Sequence, residues 1–401
     1  MKQSGQRSGS ASSRLLRWSA WVLLGASIPV YGWAQQPASP AFPKTAKAAR
    51  PRTAKSTALA RRLLDAVYGG DLAAVTALLE QGADPNLARD EDDVTALMAA
   101  VEARDVEVVT RLLDAGADIN AADAGGWRPL MSAVETGELD LIALLLARGA
   151  DLQATDSNGW NALFVAVSAH QKEAAQALLE AGADPDSKDW HGVTLLMLAI
   201  SNGEDELART ILDAPPLVPK GRKPPERLDT VVRQRLEARD ESGWTALHHG
   251  CSRGRNGLIR YLLERGAEVD ARTRTGWTPL MMAAENGDAL TTSALLLRGA
   301  QANATAGDGT SPLLLAAIRG EARTVRALLA AKADPNARRR DGRTPLIEAA
   351  ARGYADVVEE LLTAGADPAA RTASGASALD LASRHADNAE VIALLQQAAA
   401  K

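Results

Sequence analysis

The chain has 401 residues, 45 Lys and Arg against 50 Asp and Glu, and a formal net charge of −5. Only 3% of it is aromatic although 46% is apolar, so its core is built mainly of Leu and Ala, which suits thin layers of close-packed helices better than one large globule. A single cysteine, Cys251, excludes an intrachain disulfide and a Cys-cluster metal site, and the mildly acidic balance is a poor electrostatic footprint for nucleic acid.

Charge divides the chain near residue 56. Residues 1–56 hold nine basic residues and no acid, leaving 36 basic against 50 acidic residues and a net of −14 for the rest. Lys2, Arg7, Arg14 and Arg17 form a basic start. An uncharged stretch from Trp18 to Ala34 follows, centred on Val22-Leu23-Leu24 and closed by Gly32-Trp33-Ala34. That is the layout of a secretory signal peptide cleaved after Ala34. An uncleaved membrane anchor is the alternative, and Pro29 and the shortness of the stretch count against it. Residues 35–56, rich in Ala, Pro and Lys, show no apolar period and read as a basic tether.

From residue 57 a period of 33 governs the chain. Gly-Ala pairs stand at 82, 116, 149, 182, 266, 299 and 365, with Lys332-Ala333 in the same place once. One step, from 182 to 266, exceeds two periods by 18 residues and marks an insertion. The units fall near 57–90, 91–123, 124–156, 157–189, 190–240, 241–273, 274–306, 307–339, 340–372 and 373–401, with the insertion at about 215–232.

Each unit opens on a Gly, as at Gly276 and Gly342. Then come motifs such as Thr278-Pro279-Leu280 and Thr344-Pro345-Leu346, where Thr caps a helix and Pro occupies its first turn. A second Gly eleven residues on, as at Gly287, ends that helix, and a second helix runs to Leu-Leu and Gly-Ala-Asp. One such unit has no core of its own, and stacking supplies it. The expected fold is all-α, a solenoid of about ten helix–turn–helix units with short β-turn or hairpin loops.

These motifs resemble those of the ankyrin-repeat family, T-P-L-H-x-A-A and L-L-x-x-G-A-D-x-N, over essentially all of residues 57–401. Ala117-Asp118-Ile119-Asn120 and Ala333-Asp334-Pro335-Asn336 match the second motif well. The family's His survives only as His248, with Met98, Met131, Met197 and Met281 in its place elsewhere, so its bracing network is expected to give way to apolar packing. Arg104, His170 and Ala386 replace the second Gly, which predicts turns strained by ~1 kcal/mol or of another geometry.

The insertion, dense in Pro, reads as a tolerated surface loop or a basic, partner-specific arm, with helix expected from Glu226 to Leu236. Asn303-Ala304-Thr305 is formally a glycosylation sequon but sits at the repeat's own Asn position. Cys251, in a tight helix contact, is expected to be buried and inert. The chain carries no recognisable catalytic or phosphate-binding motif, and His248-His249 lacks chelating spacing, so no enzyme activity, cofactor or metal is expected.

The resemblance implies a concave face lined by loop tips and first helices. Two sets of positions on it are candidate protein-binding residues. Trp127, Trp160, Trp244 and Trp277 follow the opening Gly and are expected to point outward or to pack on the neighbouring loop, with Trp190 in the displaced loop between. Before the second Gly stand Glu135, Arg253, Glu285, Arg319 and Arg352, and with Arg343 they suggest a sign that drifts from acidic (Asp90-Glu91-Asp92-Asp93) to basic (Arg338-Arg339-Arg340).

The reading is therefore a monomeric, non-enzymatic binding protein exported to a Gram-negative periplasm, its partner another protein rather than nucleic acid. A membrane is involved only if the N-terminal segment is kept. An inhibitor, immunity or secreted host-directed role fits the same features, whereas a small-molecule binder would need a convergent pocket.

Overall fold

A computed structural model describes residues 54–88, 92–217, 228–384 and 386–400. The leader and most of the tether lie outside these residues, as do Asp90, Glu91 and the Pro-rich centre of the insertion. The chain divides into two compact units, Met1–Pro129 and Leu130–Lys401, and every regular element of the described residues is helical.

The first unit pairs Ala54–Tyr68 with Leu72–Glu80 and Ala96–Glu102 with Val106–Asp114, and both layers of the pairs touch. Its first helix begins at Ala54, inside the stretch read as tether. The second unit repeats the pair from Leu139–Ala147 to Ala389–Ala399, with first helices packed on first helices and second on second. The helix Pro129–Thr136 starts at the boundary.

Local chemistry explains the regularity. Thr95, Asn161, Thr194, Thr278, Ser311 and Thr344 each accept, through a side-chain oxygen, the amide three residues on at 3.0–3.4 Å. Pro279, Pro312 and Pro345 occupy the first turn. The core is Leu, Ala, Val, Ile and Met, with Phe164 its largest fully buried side chain. The aromatic shortage of the sequence is thus met by small-residue layers.

Turn geometry answers the missing glycines in two ways. Arg104 and His170 take φ of 60° and 57°, the left-handed backbone that Gly adopts elsewhere. Ala386 opens a short 3₁₀ turn, Ala386–Asn388. Lys332, in the Gly-Ala place, also has φ 62°.

The loops are narrow. In each, an N–H closes on the carbonyl four residues ahead, as from Asp156 to Trp160 and from Thr273 to Trp277, both 2.9 Å. Successive tips are then tied by one backbone hydrogen bond: Glu241 to His191, Arg274 to Ser242, Gly307 to Thr275, Arg340 to Asp308 and Ala373 to Asp341, at 2.8–3.1 Å. Gly342 shows why this row needs glycine, since its φ is +79° and a Cβ there would lie 2.8 Å from the Ala373 amide nitrogen.

The insertion is a built part of the array. Its second half is the helix Leu228–Glu237, close to the expected span, with Val231, Val232 and Leu236 buried. Arg235 on this helix is buried, pairs with Asp186 through two bonds (2.6 and 3.1 Å), and donates to the carbonyls of Ile211, Leu212 and Ala214. The preceding helix, Asp205–Asp213, ends at the usual place, but Pro215 stands where Gly is due, and this guanidinium takes up the helix-end carbonyls in place of the usual Gly cap.

Candidate protein-binding surface

The tryptophans do not form a uniformly exposed row. Trp127, in the first unit, is half-buried, its amide held by Asp123 at 2.8 Å. In the second unit Trp160 is half-buried and stacks on Phe164 with ring centres 5.9 Å apart. Trp244 lies edge-on to His249 at 5.1 Å, and Trp277 is half-buried. The narrow loop fixes each backbone, and the rings of Trp160 and Trp244 lie neither fully outward nor on a neighbouring loop but back on the helix that follows. Trp190 differs. It is 59% exposed, and its Nε1–H donates to the Ser157 carbonyl of the previous loop at 3.0 Å. Among the tryptophans of the described residues this displaced ring is the exposed one.

The charged set mixes two helix positions. Glu135 and Glu285 are two residues before the second Gly and half-buried, whereas Arg253, Arg319 and Arg352 are one residue before it and exposed. The Glu135 carbonyl accepts from Gln171 at 3.1 Å. Burial raises the Glu285 carboxyl above its ordinary value, against the opposing charge of Arg319.

Much of the basic cluster is already paired. Glu348, 1% exposed, lies four residues after the helix cap Thr344. Its carboxylate accepts from Arg343 Nη1 at 3.2 Å and pairs with Arg352, which also donates to the Glu348 carbonyl at 3.1 Å. Arg339 Nη2 lies 3.8 Å away but bonds chiefly to Asp341, and that hydrogen bond, against burial, holds the Asp341 carboxyl below its ordinary value. Arg338 and Arg340 are exposed and make no side-chain hydrogen bond or ion pair among the described residues.

Other polar groups join repeats. His248 is buried, and the Trp277 carbonyl 3.2 Å from Nε2 places the imidazole proton there, leaving Nδ1 to accept the Thr245 amide (3.2 Å) and hydroxyl (2.9 Å). Burial pushes its pKa down to about 4. So the family's His network stands in this one repeat, while the Met-bearing repeats pack apolar groups there.

Ser201 Oγ, His249 and Asp240 form a line at 3.0 and 3.2 Å. Asp240 Oδ1 is also the loop-former that accepts the Ser242 and Trp244 amides. Burial raises the Asp240 carboxyl, but His249 and these amides outweigh it and hold it below its ordinary value. The line ties one helix end to the next loop.

The Asn303 side chain donates to the Lys332 carbonyl (2.9 Å) and accepts the Asp334 amide (2.7 Å), a structural bridge repeated by Asn86 and Asn336. Cys251 is fully buried, and burial pushes its thiol up. No group of His, Cys, Asp and Glu among the described residues is placed to hold a metal ion.

Three features escaped the sequence reading. Arg239 and Arg272 donate to carbonyls one repeat on, those of Arg272 (2.6 Å) and Thr305 (3.0 Å). Their spacing of 33, continued at Arg338 and Arg371, was the available signal. Glu348 stands where the two preceding repeats carry Met282 and Leu315, and that break in an apolar column was visible. Arg235 and Asp186 are 49 residues apart across the insertion, and no sequence signal pairs them.

The fold and the loop row define an all-α repeat array that presents rigid tips. The family model for ankyrin repeats (3 copies) matches residues 63–156, 149–218, 225–306, 280–372 and 313–401. The chain belongs to the ankyrin-repeat family, whose repeats serve as protein–protein interaction modules. No curated protein matches it.

Proposed function

We propose that the protein is exported to the periplasm and acts there as a non-enzymatic scaffold that holds one protein partner on its loop tips and first-helix ends. The observation that carries this reading is the tied loop row. Backbone bonds of 2.8–3.1 Å join tip to tip from His191 to Ala373. A partner meeting such a row costs it little ordering entropy. Trp190 lies over Gly159 of the previous loop with its outer side exposed, a large ring of the kind that anchors interfaces.

Export rests on the basic start, the uncharged stretch and the small-residue close of residues 1–34. No helix among the described residues is long and apolar enough to cross a membrane. Inhibitor, immunity-type and host-directed roles are forms of the same binding activity and differ only in the partner.

Two measurements test the reading. N-terminal sequencing of the periplasmic fraction should give a start at Gln35, and a chain retained whole in the membrane fraction would refute soluble export. Affinity capture with the wild type and with Trp190→Ala should recover one partner with the first and lose it with the second, at unchanged circular dichroism. Equal capture by both removes Trp190 from the interface.

A further inference from the structure

The segment 338–352 carries five Arg and two acids, a net of +3 within an array of net −14. Position four after the helix cap holds Ala99, Ser132, Val165, Leu198, His249, Met282, Leu315 and Leu381 in the other repeats, and Glu348 is the one carboxylate there. Burying a carboxylate is costly unless it is paired. Here Arg343 and Arg352 pair it, and their side chains are 35% and 37% exposed while that of Glu348 is 2% exposed. The carboxylate thus lies beneath two guanidinium groups that still face water. It restrains them, and because Arg343 Nε also lies 3.6 Å from Asp341, the three guanidinium groups of Arg339, Arg343 and Arg352 share two carboxylates and keep one positive charge over. Arg338 and Arg340 stand on the adjoining loop with no acid of their own, and Arg319 occupies, one repeat earlier, the position of Arg352. A local rule broken with its cost compensated nearby is what a functional site does to a regular fold.

We propose that Arg319, Arg338, Arg340, Arg343 and Arg352, the last two braced by buried Glu348, bind an acidic segment of a protein partner through carboxylate–guanidinium pairs. Planar guanidinium forks match carboxylates bidentately. Bracing lowers the side-chain entropy lost on binding, and the local positive field within an acidic array steers a short acidic segment to this place. A long polyanion is disfavoured because the net charge of −14 over residues 57–401 repels it as a whole. The assignment deepens the scaffold reading and rests on it.

The test is fluorescence anisotropy of a labelled Glu-rich peptide of about a dozen residues against the full chain, across a salt series. Arg338→Glu with Arg340→Glu changes only exposed side chains, so circular dichroism should stay the same. Affinity should fall at least about tenfold, and the slope of log affinity against log salt should shrink by about two. Arg343→Lys with Arg352→Lys keeps the charge but removes the forks, and should weaken binding severalfold with little change in slope. Equal affinity of wild type and the Glu variant overturns the proposal. So does a single-stranded oligonucleotide of equal charge, or a phosphatidylglycerol vesicle, binding as tightly as the peptide. If a native partner is captured through Trp190 while the peptide does not bind, the acidic-segment assignment falls and the scaffold reading stands. If no partner is captured but the peptide binds with the stated salt and variant dependence, the reverse holds.

Discussion

His248→Met separates a buried histidine's hydrogen bonds from its proton. Met already fills the same place in four other repeats, so the volume is one the repeat accepts. In the native chain the imidazole is neutral, with Nδ1 facing the Thr245 amide and Nε2–H facing the Trp277 carbonyl. A second proton on Nδ1 would point at a donor. Burial accordingly depresses the pKa from 6.5 to about 4. A group whose folded pKa lies below its unfolded value takes up its proton first in the unfolded chain. Its contribution to stability is therefore complete above pH about 6.5 and is lost as pH falls toward 4. At pH 4.5 the loss relative to pH 7.5 is about 2–3 kcal/mol. The Met variant lacks it, and carboxylates such as Asp240 titrate in both proteins and cancel from the difference. Because neighbouring repeats couple only to one another, the quantity is best read locally, from hydrogen exchange of amides in Ala246–Ser252 at the two pH values. The wild type should lose about 2–3 kcal/mol more protection there than the variant. An equal pH response in the two proteins would refute the neutral, buried assignment.

Four further outcomes follow from single side chains. Lys332→Gly relieves a left-handed backbone at a place Gly fills in seven other repeats, and should raise stability by about 0.5–1 kcal/mol in urea titration, whereas destabilisation would refute the strain. Arg235→Ala strands Asp186 and three helix-end carbonyls, and should cost about 3 kcal/mol, seen as early proteolysis within Leu228–Glu237; unchanged cleavage would show that the helix holds without its clamp. Thr324 buries a hydroxyl with no partner where the next repeat has Val357, so Thr324→Val should stabilise by about 1 kcal/mol, and a loss of stability would reveal a bond to that hydroxyl. Cys251 should resist dithionitrobenzoate in the native chain and react at once in urea, and native labelling would contradict its burial.

The period made the helices legible because each boundary has its own chemistry: a Thr or Ser cap, Pro in the first turn, Gly where φ turns positive. Lys332 and His170 kept the period without the Gly, and the backbone kept its left-handed turn, so position in the repeat outweighed residue preference. The side-chain pairs between repeats were not legible. Both members of the bond from His170 to Glu204 (2.7 Å) stand in plain view 34 residues apart, but a period says which residues share a height and not which rotamers meet. For the same reason the run Arg338-Arg339-Arg340 read as one basic patch, although its middle member is bound to Asp341 and its neighbours are open.

That difference relocates specificity in this array. In the second unit the fourth position after the cap is Met282, Leu315 and Glu348 in successive repeats, each under 8% exposed. The exposed chemistry has moved to loop tips and helix ends, where Trp190 and Arg340 stand on loops closed by Asp-to-amide bonds and tip-to-tip ties and Arg319 ends its helix. Side chains on such a frame can change without disturbing the core layers beneath, since neither their backbone bonds nor the buried Leu and Ala depend on what projects. Glu348 is the exception. It is a core position that reaches the surface through the two arginines it holds, so substitution there should alter binding and packing together, whereas Arg340 should alter binding alone.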